Sequence, residues 1–455
     1  MSPRVRQAHP DRRGAALMLS FLVLIVILMI CYQIARTTGL DRNEAQRTRT
    51  LTAMDYAISS AFMQVEEDLL ADVAESGEEE AAGGAAVDPS LMGGGDEKDP
   101  AEGGGTGASD SQMDAWATPQ VTQIGGEDLR IFVVDEDRKF NLLNMLAEDE
   151  EEAEEALEIV TRILDNCREG TLADLDRSEA SEMARAMRDH MTRRNDSVLP
   201  RPQQLSSGDG DEESQREADP DAPAMPLTMR EFVVLEPFQE QHFRDFFDQD
   251  GERVHAIDQF LTIYTSPATY SSPDAESGYE VNLNTAPLAV LNGLFDSREV
   301  DTRLWDEVLA YRNEAEEVDE DEEDYQPTYD EFGNEVPPRK FFDDLDELAE
   351  LRSWDNIEAE EQAPILERLV TTSNVFSIYV VARKPLANEE NQILQFQSLR
   401  EREEYERTGL HLVRVVRRVV WRRGGGDGGS SMTPLVPWEV LDHAPLQVLD
   451  YPEDL

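Results

Sequence analysis

The sequence predicts an α+β chain: one long N-terminal helix, an antiparallel sheet, and helical stretches inserted between the strands of that sheet. Three observations carry this. Residues 15–35 hold no charge, and a helix needs about 20 such residues to cross a bilayer. Beyond them Leu51, Met54, Ile58, Phe62, Val65 and Leu69 recur at spacings of three and four, with no proline before Pro89. That pattern predicts a single helix of about 55 residues from near Ala15 to near Val73, half apolar and half amphipathic. Finally, two valine-rich runs, 374–383 and 409–423, predict strands that pair antiparallel with each other and with a strand near Val133.

Each further element has its own signal. Ile131 to Val134 reads as a strand, Asp135 to Asp137 as a turn, and Phe140 to Leu142 as a second extended piece. A helix with Leu157, Val160 and Leu164 on one face follows. The next helix carries Met183, Met187 and Met191 four apart, a spacing that suits core filling. A third helix begins near Thr228, and residues 260–266 form another extended piece. In "YEVNLNTAPLAVLNGLF" an extended segment ends in Asn282, Leu283 and Asn284. Thr285 then offers a helix cap, Pro287 sits in the first turn, and Leu288, Leu291 and Phe295 follow at helical spacing. Helices bearing Leu304 and Val308, then Phe342, Leu345 and Leu348, complete a second helical stretch. "KFNLLN" and "VNLN" echo one another, each passing from an Asn-Leu pair into a helix.

The resulting organisation is a leader at 1–14, a span at 15–35, a helical continuation at 36–74 and an acidic Gly-rich linker at 75–120. A strand with a first helical module occupies 121–200, a polar loop 201–225, and a second helical module 226–372. Terminal strands fill 373–423, and a tail, 424–455, lies beyond the folded part.

Charge narrows the function. The chain carries 97 Asp+Glu against 41 Lys+Arg, a net of −56. Such a surface repels nucleic-acid phosphates and anionic lipids. Two cysteines, Cys31 and Cys167, exclude a disulfide framework. No HExxH, GxSxG, P-loop or dinucleotide-binding fingerprint occurs, so no enzymatic role is expected.

The start of the chain resembles a known family. A short basic leader (Arg4, Arg6, Arg12 and Arg13 against Asp11) ends in Gly14, before a long apolar-then-amphipathic helix. This resembles the leader of type IV pilins and type II secretion pseudopilins, in which a prepilin peptidase cuts after the glycine. The resemblance implies a cut between Gly14 and Ala15. Most of that family carries Glu as the fifth mature residue, whereas this chain has Leu19, as is typical of the general secretion pathway protein K subfamily. The ordered set "VVDEDRKFNLLN", "PLTMREFVVL", "VNLNTAPLAVL", "SNVFSIYVVAR" and "VRVVRRVVW" extends the resemblance to about Arg423. It implies a pilin-like sheet with two inserted SAM-like, helix-hairpin-helix-like modules. It further implies a minor pseudopilin at the tip of a periplasmic fibre, anchored once in the bacterial inner membrane with its N-terminus cytoplasmic. The implied partners are other minor pseudopilins, the prepilin peptidase and the inner-membrane secretion platform. Calcium is a possible ligand by the same resemblance, with "DGDEES" at 209–214 and "DEDEEDYQPTYDE" at 319–331 offering carboxylates.

The alternative is a membrane-anchored protein that grips DNA through the helix-hairpin-helix unit opened by Asn282, Asn284, Thr285 and Pro287. Two features weigh against it. "FDSREVD" replaces the glycine-bracketed turn of DNA-gripping hairpins. Between Val281 and Arg352 there are 6 basic and 22 acidic residues, a local net of −16, the wrong sign for phosphate contact. Nucleic acid is therefore not an expected partner.

Overall fold

The structure is a computed structural model. It describes residues 12–83, 109–147, 149–193, 226–249, 251–266, 279–315, 328–329, 335–336, 339–385, 411–423 and 430–441. The chain divides into two units, Met1–Ala57 and Ile58–Leu455. Residues 1–11 of the expected leader, and nearly all of both acidic stretches expected to offer calcium ligands, lie outside the described residues.

Helix α1 runs from Arg12 to Gly83, longer at both ends than the apolar periodicity predicts. Ala-, Glu- and Leu-rich sequence without proline lets the helix continue past the last core position. In the first unit the segment Met18–Thr38 is long and apolar enough to cross a membrane, and its described side chains are exposed.

The second unit is built on a five-stranded antiparallel sheet. Its strands are β1 (Gln120–Ile124), β2 (Glu127–Asp135), β3 (Val375–Pro385), β4 (His411–Arg423) and β5 (Ser431–Leu441), adjacent in chain order. The predicted pairing of the two valine-rich strands with each other and with the strand near Val133 is observed: Tyr379 stands opposite both Phe132 and Arg417. Everything helical between Asp135 and Val375 is one long excursion from the sheet, as expected of inserted modules.

Two strands differ from expectation. β1 has only Gln120 in the expected linker; its other four residues open the 121–200 range, where the one strand expected was at Ile131–Val134. It pairs with β2 across Gly125 and Gly126, whose φ values of +64° and +86° suit a two-residue hairpin turn. β5 falls within the expected tail. Its Pro434 and Pro437 mask it as a strand in the sequence, yet proline is tolerated on an edge, and β5 is the edge strand. The register shifts beside these prolines, between Arg417 and Val420.

One face of the sheet receives the C-terminal part of α1. Ile58, Ala61, Phe62, Val65 and Leu69 are buried, and each large apolar side chain contributes about 1.5–3 kcal/mol on burial. Phe62 meets Trp438 of β5 edge-to-face at 5.9 Å, and Arg418 of β4 pairs with Glu66 at 2.8 Å. Alternation along β4 sends Arg418 and Arg422 to this face and Arg417 to the other.

The excursion begins with a parallel pair, Phe140–Asn141 with Leu261–Thr262. Helices α2 (Glu150–Asn166) and α3 (Arg177–Arg193) follow, with Met183, Met187 and Met191 buried as core filler. The predicted helix after Thr228 is a 3-10 turn, Met229–Val234, capped by the Thr228 hydroxyl. A second parallel pair, Val281–Asn282 with Leu369–Val370, precedes α4 (Leu288–Leu294) and α5 (Arg303–Asn313). The stretch after Phe342 is again 3-10, Leu345–Glu350. The two helical stretches share a single apolar core. α2 packs on α4 so closely that a Cβ at Gly293 would lie 2.3 Å from Ile163 Cγ1. Arg162 Nε donates to the Gly293 carbonyl at 2.8 Å.

Candidate functional site

Two regions carry the residues singled out by sequence. The first is the start of α1. Gly14 and Ala15 lie in its backbone, and Leu19 is 68% exposed. No charged residue occurs between Ala15 and Ala35, and apart from Ser20, Tyr32 and Gln33 the side chains there are apolar.

The second region is a buried polar junction around the "NLNTAP" motif. Asn282 is fully buried. Its Oδ1 accepts the Asn284 amide at 2.8 Å, turning the chain, while its Nδ2 donates to the Asp110 carbonyl at 3.1 Å and to Ser373 Oγ at 2.7 Å. Asn284 bonds both ways to Phe342: Nδ2 donates to its carbonyl at 2.9 Å, and Oδ1 accepts its amide at 2.8 Å. Arg312 of α5 donates to the carbonyls of Leu283 and Ala286 at 2.6 and 2.9 Å. The carbonyls of Leu283 and Ala286 are thereby satisfied.

Thr285 differs from its expected capping role. Its hydroxyl donates to Asp135 Oδ2, and α4 starts only at Leu288, with Pro287 at the cap position and no side-chain cap. Ala286 and Pro287 separate the hydroxyl from the helix amides, while the buried carboxylate sits within reach. A buried acceptor without donors would cost more than an uncapped helix end.

Around this motif gather residues that sequence reasoning did not single out. Asp135 accepts from Thr285, from Ser373 Oγ at 2.6 Å and from the Asp137 amide at 2.8 Å. Burial pushes its carboxyl up despite these hydroxyl donors. Asp137 accepts from the amides of Asn374 and Val375 at 2.6 and 3.2 Å. Burial and the neighbouring Asp135 carry it well above the usual carboxylate range. Arg422 is the hub. Its Nη2 lies 2.6 Å from both oxygens of Asp110 and 2.7 Å from the Ser373 carbonyl. Its Nη1 reaches Asp72 Oδ2 at 3.2 Å and the Leu69 carbonyl at 3.4 Å, both on α1. One guanidinium thus ties helix, sheet and inserted region together. The signal for it was an arginine at even spacing from Arg418 inside a valine-rich strand; Asp110 had none, standing in what read as linker.

Among the described residues one group of three carboxylates, Asp72, Asp110 and Asp114, brings oxygens within 4.8 Å of one another. It does not suit calcium, which needs 6–8 oxygen ligands. Arg422 already pairs with Asp110 and Asp72. The Asp114 oxygens accept from the Ser111 amide at 2.8 Å, Ser111 Oγ at 3.2 Å and Trp116 Nε1 at 3.0 Å.

No family model and no curated protein matches this sequence. Among solved structures, a chain of the GspK–GspI–GspJ complex from the enterotoxigenic Escherichia coli type 2 secretion system is similar. The similarity covers 87% of this chain and 99% of that one, at 12% identity and a TM-score of 0.45.

Proposed function

We propose that the chain is a membrane-anchored subunit of a pilin-like fibre. The observation that carries this is α1: its apolar half is exposed, and its amphipathic half packs on an antiparallel sheet. A single helix that serves both lipid and a globular body is what a subunit needs in order to wait in a membrane and then pack into a fibre. Within that class we assign it to the minor pseudopilins of type II secretion, as a subunit of the protein K kind. Leu19 supports the assignment. After a cut between Gly14 and Ala15 it is the fifth residue, and no carboxylate then faces the amine of a following subunit. The chain would accordingly close the fibre tip, with its large inserted region as the cap.

The action is assembly, not catalysis. Its partners are other minor pseudopilins, the prepilin peptidase that trims it, and the inner-membrane platform that extracts it, with the bulk of the chain periplasmic. Arg422 suits the mechanical part of this role, because force on α1 would reach the inserted region through its contacts with Leu69, Asp72, Asp110 and Ser373. Mass spectrometry of the mature N-terminus, after co-expression with a prepilin peptidase, tests the proposal. A chain beginning at Ala15 is expected; an intact Met1 or a cut elsewhere overturns it.

A further inference from the structure

The charge on α1 reverses along its length. Residues 15–35 hold no charge, residues 36–49 hold Arg36, Arg42, Arg47 and Arg49 against Asp41 and Glu44, and residues 50–83 hold nine acids and no Lys or Arg. The first stretch, at a rise of about 1.5 Å per residue, is about 31 Å long, close to the ~30 Å hydrocarbon core of a bilayer. Arg36 therefore stands at the core boundary, and Arg42 about 9 Å further on, near the outer limit of a headgroup layer roughly 5–8 Å deep. Arg47 and Arg49 stand about 17 and 20 Å beyond Arg36, about one Debye length above that layer. Arg36, Arg47 and Arg49 are exposed.

We infer that Arg36 and Arg42, supported at longer range by Arg47 and Arg49, form a collar that binds the anionic headgroups of the leaflet on the globular side. This rests on the proposed membrane span and adds the lipid chemistry at its exit. The physical need is plain. A chain of net charge −56 is repelled by an anionic surface, and a cationic collar at the exit point offsets that repulsion. A basic side chain near such a surface strengthens the attraction about fivefold.

The test uses the full chain reconstituted in phosphatidylcholine vesicles, with spin-labelled phosphatidylglycerol or phosphatidylcholine as the probe lipid. Electron paramagnetic resonance reads the motionally restricted fraction of each. The wild type is expected to favour phosphatidylglycerol by about fivefold. R36Q/R42Q should lose most of that preference, R47Q/R49Q less, and R36K/R42K should keep it. The leader arginines are present in every variant and cancel from the comparison. Equal preference in wild type and R36Q/R42Q overturns the inference. So does loss of binding to an acidic partner chain in R36Q/R42Q while lipid preference stays unchanged. Absence of any restricted lipid, with either probe, would instead overturn the membrane span itself.

Discussion

The excursion from the sheet contains two junctions built alike and charged differently. In each, two residues pair in parallel with a distant strand: Phe140–Asn141 with Leu261–Thr262, and Val281–Asn282 with Leu369–Val370. In each, the asparagine Oδ1 takes the amide two residues on, Leu143 at 3.0 Å or Asn284 at 2.8 Å. Each Nδ2 reaches a remote segment, the Tyr264 carbonyl at 3.0 Å or Asp110 and Ser373. The neighbouring carboxylates then part ways. Glu136, at the first junction, pairs with Lys139 at 2.9 Å and accepts from Thr262 at 2.6 Å and from Ser377. Burial raises its carboxyl, but Lys139, Arg417 and the two hydroxyls outweigh burial and hold it below the usual range. Asp135 and Asp137, at the second junction, accept from hydroxyls and amides, and burial outweighs these donors and, for Asp135, the charge of Arg138, so both are pushed up. Two cations and two hydroxyls together outweigh burial at Glu136, whereas at the second junction burial outweighs the donors present, Arg422 beside Asp110 included.

The strongest way to break this comparison is to remove each cation. Arg422→Met leaves Asp110 buried and strips three further contacts from the second junction. It should cost about 3–5 kcal/mol. Lys139→Met leaves Glu136 with Ser377, Thr262 and Arg417, and should cost about 1–3 kcal/mol. Urea unfolding of the full chain in detergent, followed by circular dichroism, reads both. Equal losses would mean the junctions do not differ in their dependence on a cation.

The next effect concerns how the two halves meet. Gly293→Ala places a methyl 2.3 Å from Ile163 Cγ1 and 3.0 Å from the Ile163 backbone nitrogen. An overpacked contact of this kind costs about 1–3 kcal/mol. Ile163→Ala removes the clashing Cγ1, so the added cost of Gly293→Ala should be smaller in that background. A neutral Gly293→Ala would argue that the halves are not held as one core. Smaller still, Asn284→Ala removes both bonds to the Phe342 backbone and should cost about 1–2 kcal/mol, read by the same unfolding curves.

How much of this was legible follows from what each feature asks of a sequence. The strand pairing around Val133, Tyr379 and Arg417 was readable because valine-rich alternation is local. The turn made by Asn282 was readable for the same reason. Thr285 was misassigned because its partner, Asp135, is 150 positions away, and a short polar side chain before a helix looks like a cap whatever it bonds. β5 was hidden by Pro434 and Pro437, which are penalised in a central strand and harmless on an edge. The echo between "KFNLLN" and "VNLN" was visible as letters, but its meaning, two parallel pairs with the same asparagine turn, needed the partner strands. Asp110 and Arg422 were unreadable as a pair, because 312 positions separate them.

The smallest effect tests the charge difference without removing a contact partner's bulk. Asp114 stands beside the second junction, and burial pushes its carboxyl up to about 7, against the opposing Ser111 amide and with Asp72 and Asp110 adding to the rise. Burial likewise carries Asp110 up to about 6, only partly offset by Arg422. A raised acid is favoured in its protonated form by the fold. Its stabilising share is complete below the unfolded value of 3.8 and is lost as pH climbs through about 6 and 7. Glu136 runs the other way: its share is present above 4.5 and lost as pH falls through its depressed folded value. Stability should therefore decline from about pH 4 to pH 7 on account of the second junction alone. Asp114→Asn keeps an acceptor for Trp116 and removes one titration, so its unfolding midpoint should fall less over that interval than the wild type's. The net gain at pH 8 should be about 1 kcal/mol after allowing for a weaker hydrogen bond. Parallel pH profiles for the two proteins would show that Asp114 stays charged, and that the second junction tolerates a bare carboxylate as well as the first tolerates Glu136.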